Sequence, residues 1–442
     1  MTTVTVATLG CKVNQFESES LLSSLEQRGY SLSPFGEGAD ISIINTCTVT
    51  HRADFQSRQL VRRALRFNPK SSVIVTGCYA QVEPEAVAKI GGVRLLSGNQ
   101  EKSQIPDLLP LIQKTKGQRV QVSDIRGELL FLDLPLPSFH RHTRGFLKIQ
   151  DGCDAHCSYC IVPHARGRSR SLSIEKVLEH LRVLRERGFK EVVLTGIHIG
   201  TYGQDLNPSC SLEKLLKRLE REKTPERIRL SSVEPGDFSP GLISFLAKST
   251  KVCPHLHIPI QSGEDEILQR MNRNYNLSLL FDLISDLHRT IPNLSIGADV
   301  IVGFPGETEV EFNRTYEKIE SLPLSYLHVF PFSKRKGTPA YELAHQIDEA
   351  EKKRRAGVMR TLGKQKRQAF YGRFLQGELT VLVEGRKGVG NGRWKGFSPN
   401  YIPVILDDGG SAGGGTDWIN QEVRVTLTRL TEDAVVGRVI ER

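Results

Sequence analysis

Eight cysteines occur in the 442-residue chain, and six of them fall into two sets of three. Cys153, Cys157 and Cys160 share one short loop with the spacing C-x3-C-x2-C. Three thiolates in a tight loop hold three irons of a 4Fe-4S cluster and leave the fourth iron without a protein ligand. That open iron suits the amino and carboxylate groups of S-adenosylmethionine, whose sulfonium is cleaved by an electron from the cluster to release a 5′-deoxyadenosyl radical. The competing reading is a structural zinc ion with His156 or His164 as fourth ligand. Structural zinc sites more often combine two separated C-x-x-C knuckles.

The other set, Cys11, Cys47 and Cys78, is dispersed. Each follows an apolar run of strand character: 4–9 before Gly10-Cys11, 41–44 before Thr46-Cys47, and 73–76 before Gly77-Cys78. In a parallel sheet the carboxyl ends of the strands lie together and their loops form the ligand crevice, so three thiolates converge on a second cluster. Singly, each cysteine reads better as a small buried hydrophobe. Their shared position at three strand ends argues for ligation. Three ligands again leave one iron open, as expected of a cluster that carries or delivers sulfur. Cys210 and Cys253 are left as structural residues.

Both sites need a scaffold that gathers strand ends. Strand-like runs alternate with helical patterns at 17–28 and 54–67, which predicts a parallel α/β unit over residues 1–126. Pro135 and Pro137 interrupt a Leu-rich stretch, so 127–142 reads as a linker. Six further runs at 146–150, 192–195, 228–231, 256–260, 296–302 and 326–330 alternate with helix-length segments. They predict an open (β/α)6 barrel over 143–370, with its chemistry at the carboxyl ends of the strands. The C-x3-C-x2-C loop directly follows the first of these strands. Alternating runs at 379–383, 401–405, 422–427 and 434–440 predict a small antiparallel β-barrel over 371–442, with the Gly-rich segment 407–415 as a surface loop. The fold class is therefore α/β with a C-terminal β-barrel.

Lysine and arginine total 60 against 50 acids, a net charge of +10, which fits a polyanionic partner such as RNA. A basic stretch at 349–373 carries much of this charge, and Trp394, Phe397 and Tyr401 are candidates for stacking on bases. Arg166, Arg168 and Arg170 either contact phosphate or pair with acids. No run approaches the roughly 20 apolar residues of a membrane span. With no signal peptide at Met1 to Gly10, the expected location is the cytoplasm, where thiols stay reduced.

The C-x3-C-x2-C loop resembles that of the radical S-adenosylmethionine superfamily. The likeness implies that Tyr159 lies beside the adenine of the cofactor. It also implies a cofactor pocket lined from other strand ends by Thr195-Gly196, Ser232, Glu234, Gln261, Asp299 and Gly303. With the N-terminal triplet, the whole chain resembles the methylthiotransferases, which join a cluster domain, a radical domain and an RNA-binding TRAM barrel. Gly10-Cys11-Lys12-Val13-Asn14-Gln15, Asn45-Thr46-Cys47-Thr48 and Asn400-Tyr401-Ile402-Pro403 are most similar to the branch acting on N(6)-threonylcarbamoyladenosine. Phe16, where that branch often has tyrosine, departs from it.

The resemblance implies two 4Fe-4S clusters and S-adenosylmethionine, with Cys11, Cys47, Cys78, Cys153, Cys157 and Cys160 as the ligands and no catalytic residue beyond them. It further implies methylthiolation at carbon 2 of the modified adenosine at position 37, a tRNA anticodon stem-loop as partner, and an electron donor such as a flavodoxin or ferredoxin. The sulfur donor is not implied. Sister branches act on isopentenyladenosine or on a ribosomal-protein aspartate. A reading from another class is a non-catalytic iron-sulfur protein that carries electrons or binds RNA.

Overall fold

The computed structural model describes residues 1–139, 143–387, 393–407 and 418–441. Runs rich in β-branched and aliphatic residues form β1 (Thr3–Thr8), β3 (Ile41–Thr46), β4 (Ser72–Gly77) and β5 (Val93–Ser97), and two short edge strands, β2 (Ser31–Leu32) and β6 (Arg119–Gln121), flank them. They make one parallel sheet in the order β2-β1-β3-β4-β5-β6. Successive side chains on a strand face opposite ways, so the sheet buries two apolar layers. Ile43 and Ile74 pack with Leu21, Leu25 and Leu109 from the helices Lys12–Gln27 and Ile105–Lys114. Ile44 and Val75 pack with Val61 and Ala64 of the helix His51–Phe67, which Thr50 caps through Ala53 N–H. The apolar runs at 4–9, 41–44 and 73–76 fall on β1, β3 and β4, three neighbours in this sheet.

The second unit is the expected partial barrel. Its strands are β7 (Gly145–Lys148), β10 (Glu191–Thr195), β11 (Arg227–Leu230), β12 (His255–Gln261), β13 (Ser295–Val302) and β14 (Tyr326–Pro331). A two-residue antiparallel ribbon of β8 (Gln150–Asp151) and β9 (Arg170–Ser171) brackets the cysteine loop. The six barrel strands are parallel, in the order β7-β10-β11 and β12-β13-β14, with bridges Ile228–Val252 and Ser232–His257 joining the halves. Among the described residues nothing pairs β7 with β14, and the helix Lys12–Gln27 packs alongside β7. The largest apolar cluster lies between these strands and their outer helices.

The C-terminal strands β15 (Glu378–Lys387), β16 (Arg393–Phe397), β17 (Pro403–Asp407), β18 (Glu422–Leu430) and β19 (Val435–Glu441) close into a barrel, β15-β16-β17-β19-β18. It is not wholly antiparallel, because β17 and β19 run parallel. Five strands cannot alternate direction all the way round a closed ring, so one parallel pair is forced. Most of the Gly-rich segment 407–415 lies outside the described residues. Among those residues no helix is long and apolar enough to cross a membrane.

Candidate active site

Cys11, Cys47 and Cys78 stand at the carboxyl ends of β1, β3 and β4. Gly77 turns the chain at φ 94° so that Cys78 opens the helix Cys78–Val82. Asn14 ties two of the loops, its Nδ2 donating to Leu9 O at 2.6 Å and Thr46 O at 3.0 Å. The three thiols lie within electrostatic range of one another. Burial and then its neighbours push Cys47 up to about 12, and burial also raises Cys11, which keeps a solvent-accessible edge. Thiols raised in this way give up their protons to a bound metal rather than to water.

The central triplet follows β8 on a loop pinned from three sides. Cys153 N–H donates to Gly167 O at 3.0 Å, Ser158 N–H to Met271 O at 2.9 Å, and Ala340 N–H to Ser158 O at 2.7 Å. Burial, then the neighbouring Cys157 and Cys153, lifts Cys160 to about 12. Around the loop, Arg273 Nη1 lies 3.2 Å from Cys157 Sγ and 3.4 Å from Tyr159 Oη, and its other arm pairs with Glu234. His198 Nδ1 sits 3.7 Å from Cys153 Sγ, with its Nε2 2.6 Å from Asp237. Arg273, His198 and Asp237 carry no local sequence signal, since they lie in loops and short 3-10 turns that only the barrel closure brings to the cysteines.

The donor spacing bears on the zinc reading. Three thiolates on one zinc ion stand about 3.8 Å apart, from Zn–S bonds of about 2.3 Å in a tetrahedron. Among the described residues neither cysteine triplet has its sulfurs within 4.8 Å of one another; only His257, Asp299 and His328 form such a group. His156 and His164 are both exposed. Wider spacing suits a four-iron cluster, in which each thiolate takes its own corner.

A cavity of about 230 Å³ beside Cys160 is lined by Tyr159, Gln261, Asp299, Ile301, Phe332 and the N-terminal loop residues Val49 and Thr50. Three of the eight pocket residues read from the sequence therefore meet there. Glu234 lies in a neighbouring cleft with Cys157 and Arg273. Ser232 is spent on His257 Nδ1 at 2.9 Å. Thr195 accepts from Ile149 N–H, and Gly196 leaves room for Gln150 and Ile199. Gly303 donates to Glu307 at 2.6 Å and faces Lys352 of the helix Glu349–Gly372.

The two triplets share a wall of buried charge. Arg166, 1% exposed, donates to Glu17 Oε1 at 2.8 Å, Asp151 Oδ1 at 2.9 Å and Asn14 Oδ1 at 2.5 Å. Lys102 also pairs with Glu17, and Lys148 lies 3.4 Å from Glu17 and 3.2 Å from Asp151. Burial alone would raise both carboxyls, but the surrounding cations hold Glu17 well below the carboxylate range and Asp151 at about 2. Arg166 thus pairs with acids, as does exposed Arg168 with Asp154 at 3.5 Å, while Arg170 donates to Arg166 O at 2.6 Å.

The basic stretch is less available than its composition implies. Lys352 and Arg355 are buried on Glu349 and Glu307, Lys366 donates to the carbonyls of Glu320 and Leu322, and Arg367 pairs with Asp433. Trp394 stacks on Trp418 within the small barrel, and Phe397 stacks on Tyr401 at 4.9 Å. Tyr401 also lies against His255 at 4.6 Å, so it belongs to a contact between barrels.

Two family models match the chain: the uncharacterized protein family UPF0004 over residues 3–98 and the radical SAM superfamily over residues 147–319. The chain is 38% identical over 432 residues to the threonylcarbamoyladenosine tRNA methylthiotransferase MtaB of Bacillus subtilis, covering 97% of this chain and 94% of that one. It is 39% identical to the protein of the same name from Aquifex aeolicus, covering 86% and 92%. A tRNA-2-methylthio-N(6)-dimethylallyladenosine synthase of Natranaerobius thermophilus is 35% identical, covering 79% and 78%. Among solved structures, the radical S-adenosylmethionine methyltransferase TsrM from Kitasatospora setae superposes with a TM-score of 0.57 at 15% identity, covering 77% of each chain, a likeness of fold alone.

Proposed function

The chain belongs to the radical S-adenosylmethionine tRNA methylthiotransferases, and we propose that it converts N(6)-threonylcarbamoyladenosine at position 37 of tRNA into its 2-methylthio derivative. The observation that carries this reading is the pairing of two three-thiol sites across one buried wall, each a ligand short of a full cluster. An electron carrier ligates its clusters completely, so the non-catalytic reading has less support. We assign Cys153, Cys157 and Cys160 to the cluster that works with S-adenosylmethionine, and Cys11, Cys47 and Cys78 to the one that supplies sulfur. When bound, these groups supply hydrogen abstraction, sulfur and methyl.

The chain's own residues position them. Tyr159, Gln261 and Asp299 offer the cofactor a cavity beside Cys160, and Arg273 holds Tyr159 and Glu234 against Cys157. We assign Ser232 to the support of that cavity through His257, which meets Asp299, and place Thr195, Gly196 and Gly303 in its surround, where they meet Ile149, Gln150 and Glu307. Residues 1–126, 143–370 and 371–442 then divide the work into sulfur supply, radical generation and RNA capture. The partner is the anticodon stem-loop, with a small flavodoxin or ferredoxin as electron donor in the cytoplasm.

The dimethylallyl-adenosine reading rests on relatives that the chain covers less fully. Mass spectrometry of tRNA nucleosides separates the two. Deleting the gene should remove methylthio-threonylcarbamoyladenosine, with rescue by wild type and not by Cys157→Ala. Loss of methylthio-dimethylallyladenosine instead would overturn the substrate assignment.

A further inference from the structure

Three neighbouring strands of the barrel bring two imidazoles and a carboxylate together in its lumen. In the strand register Asp299 of β13 stands opposite His328 of β14 on one side and Pro259 of β12 on the other, and His257 lies two residues before Pro259. Alternate residues of a strand share a face, so these side chains project with Ile301 and Phe330, which line the cavity beside Cys160 together with Asp299. Tyr326 closes the space on the opposite side. Its ring lies where a side chain on Gly297 would stand, 6.1 Å from the His257 ring and 5.3 Å from the His328 ring.

Asp299 Oδ1 is 3.3 Å from His257 Nε2 and 3.3 Å from His328 Nδ1, and the three donor atoms lie within 4.8 Å of one another. Hydrogen bonds between a charged nitrogen donor and a carboxylate run at about 2.7–2.9 Å, and His198 meets Asp237 in the same barrel at 2.6 Å. The contacts to Asp299 are longer. His257 is 8% exposed, and its Nε2 is buried without a hydrogen-bond partner, while Nδ1 is held by Ser232 Oγ at 2.9 Å. A buried nitrogen left so is costly unless a ligand completes it. The spacing is that of donors sharing a metal ion: with bonds of about 2.0–2.1 Å, two corners of a tetrahedron stand about 3.3–3.4 Å apart.

We infer that His257, Asp299 and His328 bind one zinc ion, with the fourth tetrahedral position open toward the cavity beside Cys160. Imidazole nitrogen and carboxylate oxygen are ligands that zinc accepts, and Ser232 is the outer partner that orients a ligating imidazole through its other nitrogen. Magnesium and calcium take six or more oxygen ligands and do not fit this donor set. Three protein ligands with one open position make a site that receives an oxygen or nitrogen of a bound molecule, whereas an ion that only braces a fold is fully ligated by protein. The site shares no ligand with either cysteine triplet, and it does not depend on which adenosine is modified.

The test uses the full-length protein with its clusters assembled, so that the cysteines are occupied, dialysed against a series of zinc concentrations. Metal analysis should find one zinc per chain beside the iron, and X-ray absorption at the zinc edge should show only nitrogen and oxygen neighbours at about 2.0–2.2 Å. His328→Ala, at an exposed position, and Asp299→Asn should lose this zinc while keeping the iron of wild type. Ser232→Ala should weaken zinc binding about 10–100-fold. Absence of bound zinc, sulfur among its neighbours, or unchanged zinc in both ligand variants would overturn the inference. None of these readings uses tRNA turnover, so the proposed function stands or falls separately.

Discussion

Arg166 and Glu17, 149 residues apart, join the two cysteine sites, with the Arg166 guanidinium on both Glu17 oxygens at 2.8 and 3.1 Å. Glu17 belongs to the helix that starts after Cys11, and Arg166 closes the short helix that follows the Cys153 loop. At the other edge of the barrel opening, Arg335 reaches Asp54 at 2.6 Å and Thr48 Oγ1 at 2.7 Å. The N-terminal unit is therefore clamped to both sides of the opening by buried ion pairs.

Removing one partner of such a pair leaves the other charge buried and alone. Arg166→Met should cost about 3–5 kcal/mol, while the exposed Arg168→Met should cost less than about 1 kcal/mol. The shift in urea midpoint of the two variants checks this. Equal midpoints would show that the wall does not hold the units together.

The same wall predicts a pH response. Asp151 sits at about 2, and Glu17 is also depressed, so the folded state binds fewer protons than the unfolded chain as pH falls. The stability they contribute is complete above an unfolded value of about 4 and is lost as pH drops toward about 2. Denaturation at a series of pH values should show a shallower acid loss for Asp151→Asn than for wild type. Identical slopes would remove Asp151 from the account.

Separating the two triplets should separate two chemistries. Cys153→Ala, Cys157→Ala or Cys160→Ala should remove about four of eight irons and abolish 5′-deoxyadenosine formation. Cys11→Ala, Cys47→Ala or Cys78→Ala should also remove about four irons, yet keep reductive cleavage of S-adenosylmethionine while losing the methylthio product. Iron analysis with chromatography of 5′-deoxyadenosine distinguishes these outcomes. Retention of all irons in either set would sink the ligand assignment.

Much of this arrangement was readable from periodicity, because strands and the cysteines that end them are local features. Cys11, Cys47 and Cys78 could be placed on one edge because parallel strands align their carboxyl ends. What stayed hidden depends on packing between distant segments. Nothing near Arg273 or His198 marks them as neighbours of Cys157 and Cys153. The basic stretch 349–373 reads as charge for an RNA partner, yet its Lys352, Arg355 and Arg367 answer acids at Glu349, Glu307 and Asp433. Composition counts charges and cannot say which are already paired.

Glycine enters both sites for a steric reason. Gly152 has φ 70°, and a Cβ there would stand 1.8 Å from Arg168 O; at Gly77, φ 94°, it would meet Asn45 Oδ1 and Thr46 O at 2.5 Å. Both obstacles are held in place, so the chain must shift, taking Cys153 or Cys78 with it. Gly152→Ala should lower iron content at the central site and Gly77→Ala at the N-terminal one, with Gly29→Ala as a strained but open control. Full iron loading in all three would show that the loops adapt.

Arg273 provides the sharpest test of how protein tunes the central site. Its guanidinium touches Cys157 Sγ and Tyr159 Oη while pairing with Glu234, so it brings positive charge and N–H donors to a sulfur that we assign to the cluster. Such donors raise a cluster's reduction potential by stabilising its extra electron. Arg273→Met should keep iron content, lower the potential, and slow S-adenosylmethionine cleavage about 10–100-fold, with Arg273→Lys falling between. Redox titration followed by electron paramagnetic resonance reads the potential directly. An unchanged potential with slowed cleavage would instead assign Arg273 to holding Tyr159 and Glu234 alone.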